Sequence, residues 1–561
     1  MYSDGHPRML TPDRERERSQ AGIAALIRIA EAASSPVTTW TPDSRGDELP
    51  SGEAPARRPG LGARLAHAPW PLLAVLAVQA GISLRLVWTN TAFTDEALYL
   101  WAGHLEIAHW LHGSPIPPFA TYFSGAPVIY PPLGALADSA GGLAAARILS
   151  LCFMLSATVL LWAGTSELFG RRAAFYACGL WSVLGPTLHL GAFATYDAMA
   201  LFLMALAAWC VIRAGTAWDA TGLMLAAAVA LALANATAYS SAIFDPVVVI
   251  VALLAAYPRP GGKPALMRGL GLMSYTVTAV VLLITVGGGY YMVGIDQTVL
   301  ARASGSDPAK VVLTSAWTWT AAIAVTAIVA PLICAAGGRV HRTLLLITLA
   351  GACALVPMEQ ARIHTLTSLD KHADFGAWFA AIAAGYAIDA AIAILRPRGL
   401  RTVACGVGAL ALVFPARTGT FQVRQLYSWP NAATFVTVFG HLIGTVRGPV
   451  LVENSPLMQY YSPIGTDWER VSNTWAITLP SGKVAAHSSV VTQAGSPLVY
   501  SRYIQEGYFS AVALDFGATP QLDQRIAGAL SRNHDYRVIA RIPYGKSFYT
   551  IWLHRGAGSN R

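Results

Sequence analysis

Long apolar runs constrain the fold of this chain more than any other feature of its sequence. A helix crosses a bilayer with about 20 apolar residues. Runs that can supply such helices occur at residues 71–88, 143–165, 173–190, 198–212, 223–239, 243–257, 270–292, 315–336, 344–358, 377–395 and 403–415. Of the 561 residues, 54% are hydrophobic and only 12% are charged, which is more apolar surface than a soluble protein can bury. The sequence therefore predicts an α-helical polytopic membrane protein with about eleven transmembrane helices.

Basic residues between the runs indicate how the helices are oriented. One assignment places all the cations of alternate connections in the cytoplasm, namely Arg171, Arg172, Arg213, Arg259, Lys263, Arg268, Arg339, Arg342, Arg396, Arg398 and Arg401. Connections on the other side are nearly free of them, and residues 86–146 contain no Lys or Arg. Topology thus explains the formal net charge of +9, and no nucleic-acid partner is expected. We expect a multi-pass protein of the plasma membrane with a cytoplasmic N-terminus.

The composition divides the chain into three parts. Residues 1–66 are rich in Arg, Glu, Ser and Pro, which predicts a disordered cytoplasmic tail. Residues 67–416 contain the apolar runs and form the predicted transmembrane domain. Residues 417–561 contain strand-like runs at 449–452, 510–514, 536–542 and 546–553 and a helical run at 520–531. This last part is predicted to be an extracytoplasmic α/β domain.

Two adjacent carboxylates, Asp95 and Glu96, follow the first apolar run. The orientation above places both of them outside the cytoplasm. Apolar residues recur at roughly helical spacing in 96–111, which predicts a helix lying in the membrane interface. Such a helix would hold Asp95 at the depth where a lipid headgroup meets water. An ordinary solvated loop that carries two acids fits the same position.

Short motifs in the first half of the chain resemble a known family. In order, they are Arg85 followed by Thr94-Asp95-Glu96-Ala97-Leu98-Tyr99, then Tyr130-Pro131-Pro132-Leu133, Ala146-Arg147-Ile148-Leu149, Phe169-Gly170-Arg171-Arg172 and Tyr196-Asp197. Over residues 72–245 this arrangement resembles the GT-C glycosyltransferases of the dolichyl-phosphate-mannose:protein mannosyltransferase superfamily, which includes the bacterial aminoarabinose transferases. One difference from the aminoarabinose transferases is Tyr130, where they carry a lysine.

The resemblance implies a GT-C type catalytic domain. Such a domain transfers a sugar from a polyprenyl-phosphate-linked donor to an extracytoplasmic hydroxyl of a glycan, lipid or protein acceptor, with inversion at the anomeric carbon. By match to the family position, Asp95 is the general base that takes the proton of the acceptor hydroxyl. Asp197 matches a second acidic position. Substrate binding is expected of the tyrosines in these motifs, Tyr99, Tyr130 and Tyr196.

Glu96 is a candidate catalytic residue with several possible roles. Adjacent helical residues point about 100° apart, so Glu96 and Asp95 face different surroundings. We expect Glu96 to bind a sugar hydroxyl, the acceptor or a structural partner.

Cations that could bind the donor phosphate are scarce in the predicted outer loops, where the exceptions are Arg302, Lys310, Arg362 and Lys371. Lys371 and Arg362 are the preferred candidates because charge-assisted contacts to phosphate are strong, and His372 follows Lys371 directly. Arg147 is a further candidate. It lies inside an apolar run, where an unpaired charge is costly, so it should face the cavity or pair with an acid.

The implied reaction needs neither a cofactor nor a metal, and none is expected. A zinc site remains an alternative for His104, Glu106, His109 and His112, because His residues at i and i+3 share a helix face. Two other functions would fit a polytopic chain. A transporter or flippase for a lipid-linked or small polar substrate would show similar spans, usually in paired halves. A catalytically silent member would use its C-terminal domain to bind glycan.

Overall fold

The structure is a computed structural model. It describes residues 70–217, 220–256, 262–300, 304–395, 397–462, 467–478, 484–485 and 495–558. The predicted tail at 1–66 lies outside these ranges. So do three of the cations used to orient the helices or to bind phosphate, Arg259, Arg302 and Arg396.

The first part of the described chain, up to Leu426, is helical. In order, they are α1 (Trp70–Val87), α2 (Thr94–His112), α3 (Tyr130–Phe169), α4 (Arg171–Trp181), α5 (Gly185–Leu190), α6 (Tyr196–Thr216), α7 (Thr221–Thr237), α8 (Asp245–Ala256), α9 (Gly262–Gly287), α10 (Gly289–Ile295), α11 (Ala309–Ala336), α12 (Val340–Arg362), α13 (Leu369–Ile394), α14 (Arg398–Ala411) and α15 (Val413–Leu426).

Nine helical segments among the described residues are long and apolar enough to cross a membrane. The two remaining predicted spans correspond to α7, which is a shorter apolar helix of 17 residues, and to the α4–α5 pair. The protein is therefore a multi-pass membrane protein. Between its helices, small residues allow close backbone approach: a Cβ on Gly385 would lie 2.3 Å from the carbonyl oxygen of Ala173, and one on Gly376 would lie 2.4 Å from that of Ala352.

The predicted span at 173–190 is interrupted in the structure. Helix α4 ends at Trp181, and α5 begins at Gly185 with Pro186 in its first turn. Leu184 between them is extended, with φ −63° and ψ 145°. Inside a helix, proline lacks an N–H and crowds the carbonyl four residues earlier, so Pro186 favours the first turn of a new helix. Proline alone does not decide the break, since Pro331 and Pro357 lie inside continuous helices.

Helix α3 contains a sharp bend that separates a first arm from a second arm. Gly141 and Gly142 have non-helical dihedral angles, and Gly142 has a φ of 68°. A positive φ is accessible to glycine without a steric penalty. The first arm packs on α2, where Gly103 approaches the Pro131 carbonyl so closely that an added Cβ would lie 1.9 Å from its oxygen. The second arm is the span predicted at 143–165.

The last span extends further than its composition predicted. The candidate span runs over Arg398–Leu426, so the predicted domain boundary at 417 falls inside α15. Polar residues at 417–425 suggested the end of the membrane domain, but Gln422 is buried. It accepts a hydrogen bond from Gly185 N–H at 3.2 Å and donates one to the Thr318 carbonyl at 2.6 Å. The C-terminal domain begins after Leu426.

The C-terminal domain is α/β, as its sequence predicted. Its elements are α16 (Ala433–Thr445), β1 (Val450–Val452), α17 (Ser455–Tyr461), β2 (Val471–Ser472), β3 (Ile477–Thr478), β4 (Val484–Ala485), α18 (Pro497–Gln505), β5 (Ala511–Leu514), α19 (Pro520–Arg532), β6 (Tyr536–Tyr544) and β7 (Ser547–His554). The main sheet has the order β2-β1-β5-β7-β6. Strands β2, β1 and β5 are parallel, whereas β7 is antiparallel to β5 and β6.

Both faces of this sheet are covered. Helix α16 packs on one face through Phe435 and Phe439, and α18 and α19 pack on the other through residues such as Tyr500 and Ile526. Because side chains alternate along a strand, Leu451 faces one cluster while its neighbours in β1 face the other. Strand β1 is thereby buried on both faces, between β2 and β5.

Candidate active site

The candidate site is built on the first turn of α2. Phe93, the residue before the helix, is extended, and its N–H donates a hydrogen bond to Glu96 Oε2 at 2.9 Å. Carboxylates are favourable at a helix N-terminus, where free N–H groups concentrate positive charge. The sequence Thr94-Asp95-Glu96 thus starts a helix and presents two acids at its first turn. The helix predicted at 96–111 is confirmed.

The structure brings four of the predicted site residues together. Lys371 Nζ, in the first turn of α13, lies 2.9 Å from Asp95 Oδ2 and 3.6 Å from Asp197 Oδ2. His372 Nε2 lies 3.5 Å from Asp197 Oδ1. Helices α2, α6 and α13 therefore place their N-terminal turns around one ammonium group. We call Asp95, Asp197, Lys371 and His372 the Lys371 cluster.

Access to the Lys371 cluster is uneven. The side chain of Asp95 is 32% exposed, compared with 8% for Lys371 and 1% for Asp197. Thr195 Oγ1 donates to Asp197 Oδ2 at 3.1 Å and fixes that carboxylate. A molecule that approaches from the solvent therefore meets Asp95 first, while Asp197 holds Lys371 from behind.

Glu96 and Arg147 form a separate, sealed pair. Arg147 Nε and Nη2 donate to the two oxygens of Glu96, each at 2.8 Å, in the bidentate geometry that arginine favours. Glu96 is 0% exposed and Arg147 is 1% exposed. Arg147 also donates to carbonyls of the loop before α2, those of Val87 and Thr89.

Further contacts bear on the possible roles of Glu96 and Arg147. Glu96 additionally accepts the N–H of Ala194 at 2.9 Å. Its oxygens are thus occupied by protein donors, which is the arrangement expected of a structural partner. Arg147 is paired with an acid rather than turned toward a phosphate site.

Arg362 lies apart from the Lys371 cluster. Its guanidinium pairs with Glu359 one turn earlier on α12, with N–O distances of 2.8 and 2.5 Å, and its side chain is 71% exposed. In the described ranges no ion pair joins Arg362 to the cluster. The structure therefore does not support its assignment to donor phosphate.

The three predicted substrate tyrosines are buried to different depths. Tyr130 is completely buried, and its hydroxyl lies 3.4 Å from that of Ser150, which is the environment of a core residue. Tyr99 and Tyr196 contact each other, with ring centroids 4.7 Å apart. Burial raises the pKa of Tyr99 well above its ordinary value, so this phenol stays protonated beside the Lys371 cluster.

Two histidines of α2, His104 and His109, have protein partners. His104 Nε2 lies 2.8 Å from Asp138 Oδ2, and His109 Nδ1 lies 2.7 Å from the Ser114 carbonyl oxygen. No group of three or more His, Cys, Asp or Glu residues is arranged for a metal in the part of the chain that the structure describes.

Several contacts of the site were not predicted. The ammonium of Lys371 lies 5.6 Å from the centroid of the Phe193 ring, a cation–π distance. Gln360 Nε2 lies 3.3 Å from His372 Nδ1. The position of Phe193, three residues before the predicted Tyr196-Asp197 motif, was a usable signal. The sequence gives no comparable signal for Gln360, because a polar residue near a helix end has many possible partners.

Comparison with solved structures decides the fold class. ArnT from Cupriavidus metallidurans in the apo state aligns with a TM-score of 0.56 at 14% identity, over 89% of this chain and 100% of that one. The chain has the GT-C fold. ArnT bound to undecaprenyl phosphate aligns with a TM-score of 0.52 at 14% identity, over 88% of this chain and 98% of that one.

A second GT-C protein is similar over most of its length. The archaeal oligosaccharyltransferase AglB from Archaeoglobus fulgidus, in complex with an inhibitory peptide and a dolichol-phosphate, aligns with a TM-score of 0.51 at 14% identity, over 79% of this chain and 69% of that one. No family model matches the sequence, and no curated protein matches it. The GT-C likeness is thus carried by the arrangement of helices.

Proposed function

We propose that this GT-C protein is a membrane glycosyltransferase that transfers a sugar from a polyprenyl-phosphate-linked donor to a hydroxyl on the extracytoplasmic side. The observation that carries the proposal is the contact of Lys371 Nζ with Asp95 at 2.9 Å, beside Asp197 at 3.6 Å. It places an accessible carboxylate next to a buried cation. ArnT with undecaprenyl phosphate and AglB with dolichol-phosphate support a lipid-linked donor.

In the proposed reaction, Asp95 removes the proton of the acceptor hydroxyl as its oxygen attacks the anomeric carbon. The bond between that carbon and the phosphate oxygen breaks, and its electron pair stays on the phosphate. Attack opposite the leaving group inverts the anomeric centre. The products are the glycosylated acceptor, a polyprenyl monophosphate and protonated Asp95, so atoms and charges balance.

Lys371 has two roles in this proposal. Without donor, its ammonium pairs with Asp95 at 2.9 Å and occupies that carboxylate. When a donor phosphate approaches, it competes for the ammonium and releases Asp95 to act on the acceptor. Phosphate gains negative charge as the bond breaks, and a preorganised cation stabilises that charge best in a poorly hydrated site. His372 lies beside Lys371 and can add a second donor.

The proposed transfer can be tested on cell-envelope glycans. Mass analysis of glycans, lipids and glycoproteins from cells with and without the protein should reveal one missing sugar, which the wild-type gene restores and Asp95→Asn does not. Full restoration by Asp95→Asn would exclude Asp95 as the base. An unchanged glycan profile after deletion of the gene would favour a silent, glycan-binding protein. Movement of a labelled lipid-linked sugar across vesicles without a covalent product would favour a flippase.

The proposed orientation has its own test. We expect the C-terminal domain to be extracytoplasmic and the connection before α14 to be cytoplasmic. The exposed sites Lys546 and Arg398 suit cysteine substitution, because the native cysteines are buried or half-buried. In intact cells, Lys546→Cys should react with a membrane-impermeant maleimide, and Arg398→Cys should react only after permeabilisation. Equal labelling of both sites would contradict the orientation.

A further inference from the structure

We propose that Asn454 of the C-terminal domain is a positioning residue for Asp95, so that this domain completes the catalytic site of the membrane domain. The inference rests on the proposed transfer reaction. Asn454 Nδ2 donates a hydrogen bond to Thr94 Oγ1 at 2.8 Å. Thr94 immediately precedes Asp95, and it is the first residue of α2.

Asn454 is itself held in place by its neighbour Glu453. The carboxylate of Glu453 is fully buried. It accepts hydrogen bonds at 2.7–3.3 Å from the N–H groups of five consecutive residues, Asp515, Phe516, Gly517, Ala518 and Thr519. These residues follow β5, and Glu453 follows β1, the strand that pairs with β5. The end of β1 is therefore fixed, and Asn454 extends from it toward α2.

Further contacts join the same two surfaces. Tyr461 Oη accepts the N–H of Ala92 at 2.7 Å, two residues before Thr94. A small apolar cluster of Ala92, Ala97, Ala432 and Leu457 is buried beneath these bonds. Helix α17 is thus docked on the start of α2, and Asn454 makes the contact that lies nearest to Asp95 in the chain.

The two neighbours of Asp95 are consequently fixed by different domains. Glu96 is held by Arg147 within the membrane domain, whereas Thr94 is held by Asn454 of the C-terminal domain. Asp95 itself keeps a side chain that is 32% exposed, with Lys371 as its ion-pair partner. This arrangement locks the backbone on both sides of the base and leaves its carboxylate accessible.

Such a lock matters because proton transfer requires short, directed geometry. A displacement of about 1 Å at a reacting group can lower the rate about 10²-fold. Loss of the bond from Asn454 should therefore lower turnover without weakening donor binding, since Lys371 and His372 are not touched. If Asn454 only stabilised the interface between the domains, its loss would lower the stability of the protein and leave the turnover of the folded fraction unchanged.

A double-mutant cycle tests the inference in the full-length protein. Purified Asn454→Ala and Thr94→Val variants, assayed with a lipid-linked sugar that the wild-type protein uses, should each show a kcat lowered about 10-fold to 100-fold with an unchanged KM for the donor. Because both remove the same bond, the double variant should be no slower than the slower single variant. Thr94→Ser, which keeps the hydroxyl, should retain most of the turnover.

Tyr460→Phe is the matched control for docking. It removes a different bond of α17, from Tyr460 Oη to Asp138 Oδ1 at 2.6 Å, and it should leave kcat unchanged in the folded fraction. A wild-type kcat in Asn454→Ala, additive effects in the double variant, or an equal loss in Tyr460→Phe would each overturn the positioning role. Failure of the proposed function itself looks different, because the wild-type protein would then show no transfer that depends on Asp95.

Discussion

Asp95 and Glu96 are adjacent in the chain, yet the structure gives them opposite surroundings. Glu96 faces Arg147 and backbone N–H groups and is fully buried, so its charge is balanced within the protein. Asp95 shares one ammonium with Asp197 and remains partly exposed. A buried ion pair such as Glu96–Arg147 contributes to folding and holds the loop before α2. An accessible cluster with two carboxylates and one ammonium is suited to exchange an ion-pair partner for a substrate group. The comparison separates a buried, fully paired acid from an accessible one.

The largest expected effect concerns the rate. Asp95→Asn keeps the size of the side chain but removes the proton acceptor, and loss of a general base typically lowers the rate about 10²-fold to 10⁴-fold. We expect this loss in kcat, measured with purified protein in lipid nanodiscs, and an unchanged thermal unfolding midpoint. Near-normal turnover would place the base elsewhere, with Asp197 as the next candidate.

Glu96→Gln should lower stability more than turnover, the reverse of the effect expected for Asp95→Asn. The substitution leaves the buried guanidinium of Arg147 without its anionic partner, and breaking a buried ion pair typically costs about 3–5 kcal/mol. We expect a marked fall in folded protein and in the unfolding midpoint, measured in detergent. The correctly folded fraction should retain more turnover than Asp95→Asn does. If Glu96→Gln were fully stable but inactive, the distinction between the two acids would be wrong.

Lys371→Ala should weaken use of the donor. A hydrogen bond to a charged group contributes about 1.5–3 kcal/mol, so kcat/KM for the donor should fall by about 10-fold to 100-fold. Lys310→Ala is a suitable control, because Lys310 is an exposed lysine near another loop that we place outside. Loss of protein without loss of donor affinity would indicate that Lys371 serves packing alone.

The smallest effects are expected at two residues that the structure places outside the cluster. Arg362→Ala removes an exposed pair with Glu359, and such pairs contribute little. Tyr130→Phe removes a hydroxyl that faces Ser150 in the core. Neither variant should change the KM for the donor by more than about twofold, the size of effect typical of a substitution that removes no key contact. A large rise in KM in either variant would return that residue to the donor site.

The sequence predicted the parts of the molecule that follow from local pattern. Apolar length identifies the membrane helices, because a helix has to satisfy its backbone polar groups internally within lipid. Strand-like runs identified the strands near 450, 512, 540 and 550, which the structure confirms. Local pattern failed where partners are distant. The break before Pro186 and the continuation of α15 to Leu426 depend on packing between helices. The composition of a segment does not report which helices pack against it.

For the site, the sequence identified which residues carry charge, and the tertiary structure decided what each charge meets. Motif resemblance selected Asp95 and Asp197, and the scarcity of outer-loop cations selected Lys371. The structure brings the three together, but the sequence could not separate Asp95 from Glu96. Their roles depend on Arg147, 51 positions from Glu96, and on Lys371, 276 positions from Asp95. Asn454 lies 360 positions from Thr94 and carries no motif. Helical periodicity fixes only the angle between neighbouring side chains. The packing of distant helices and of the C-terminal domain decides which residue each of these side chains contacts.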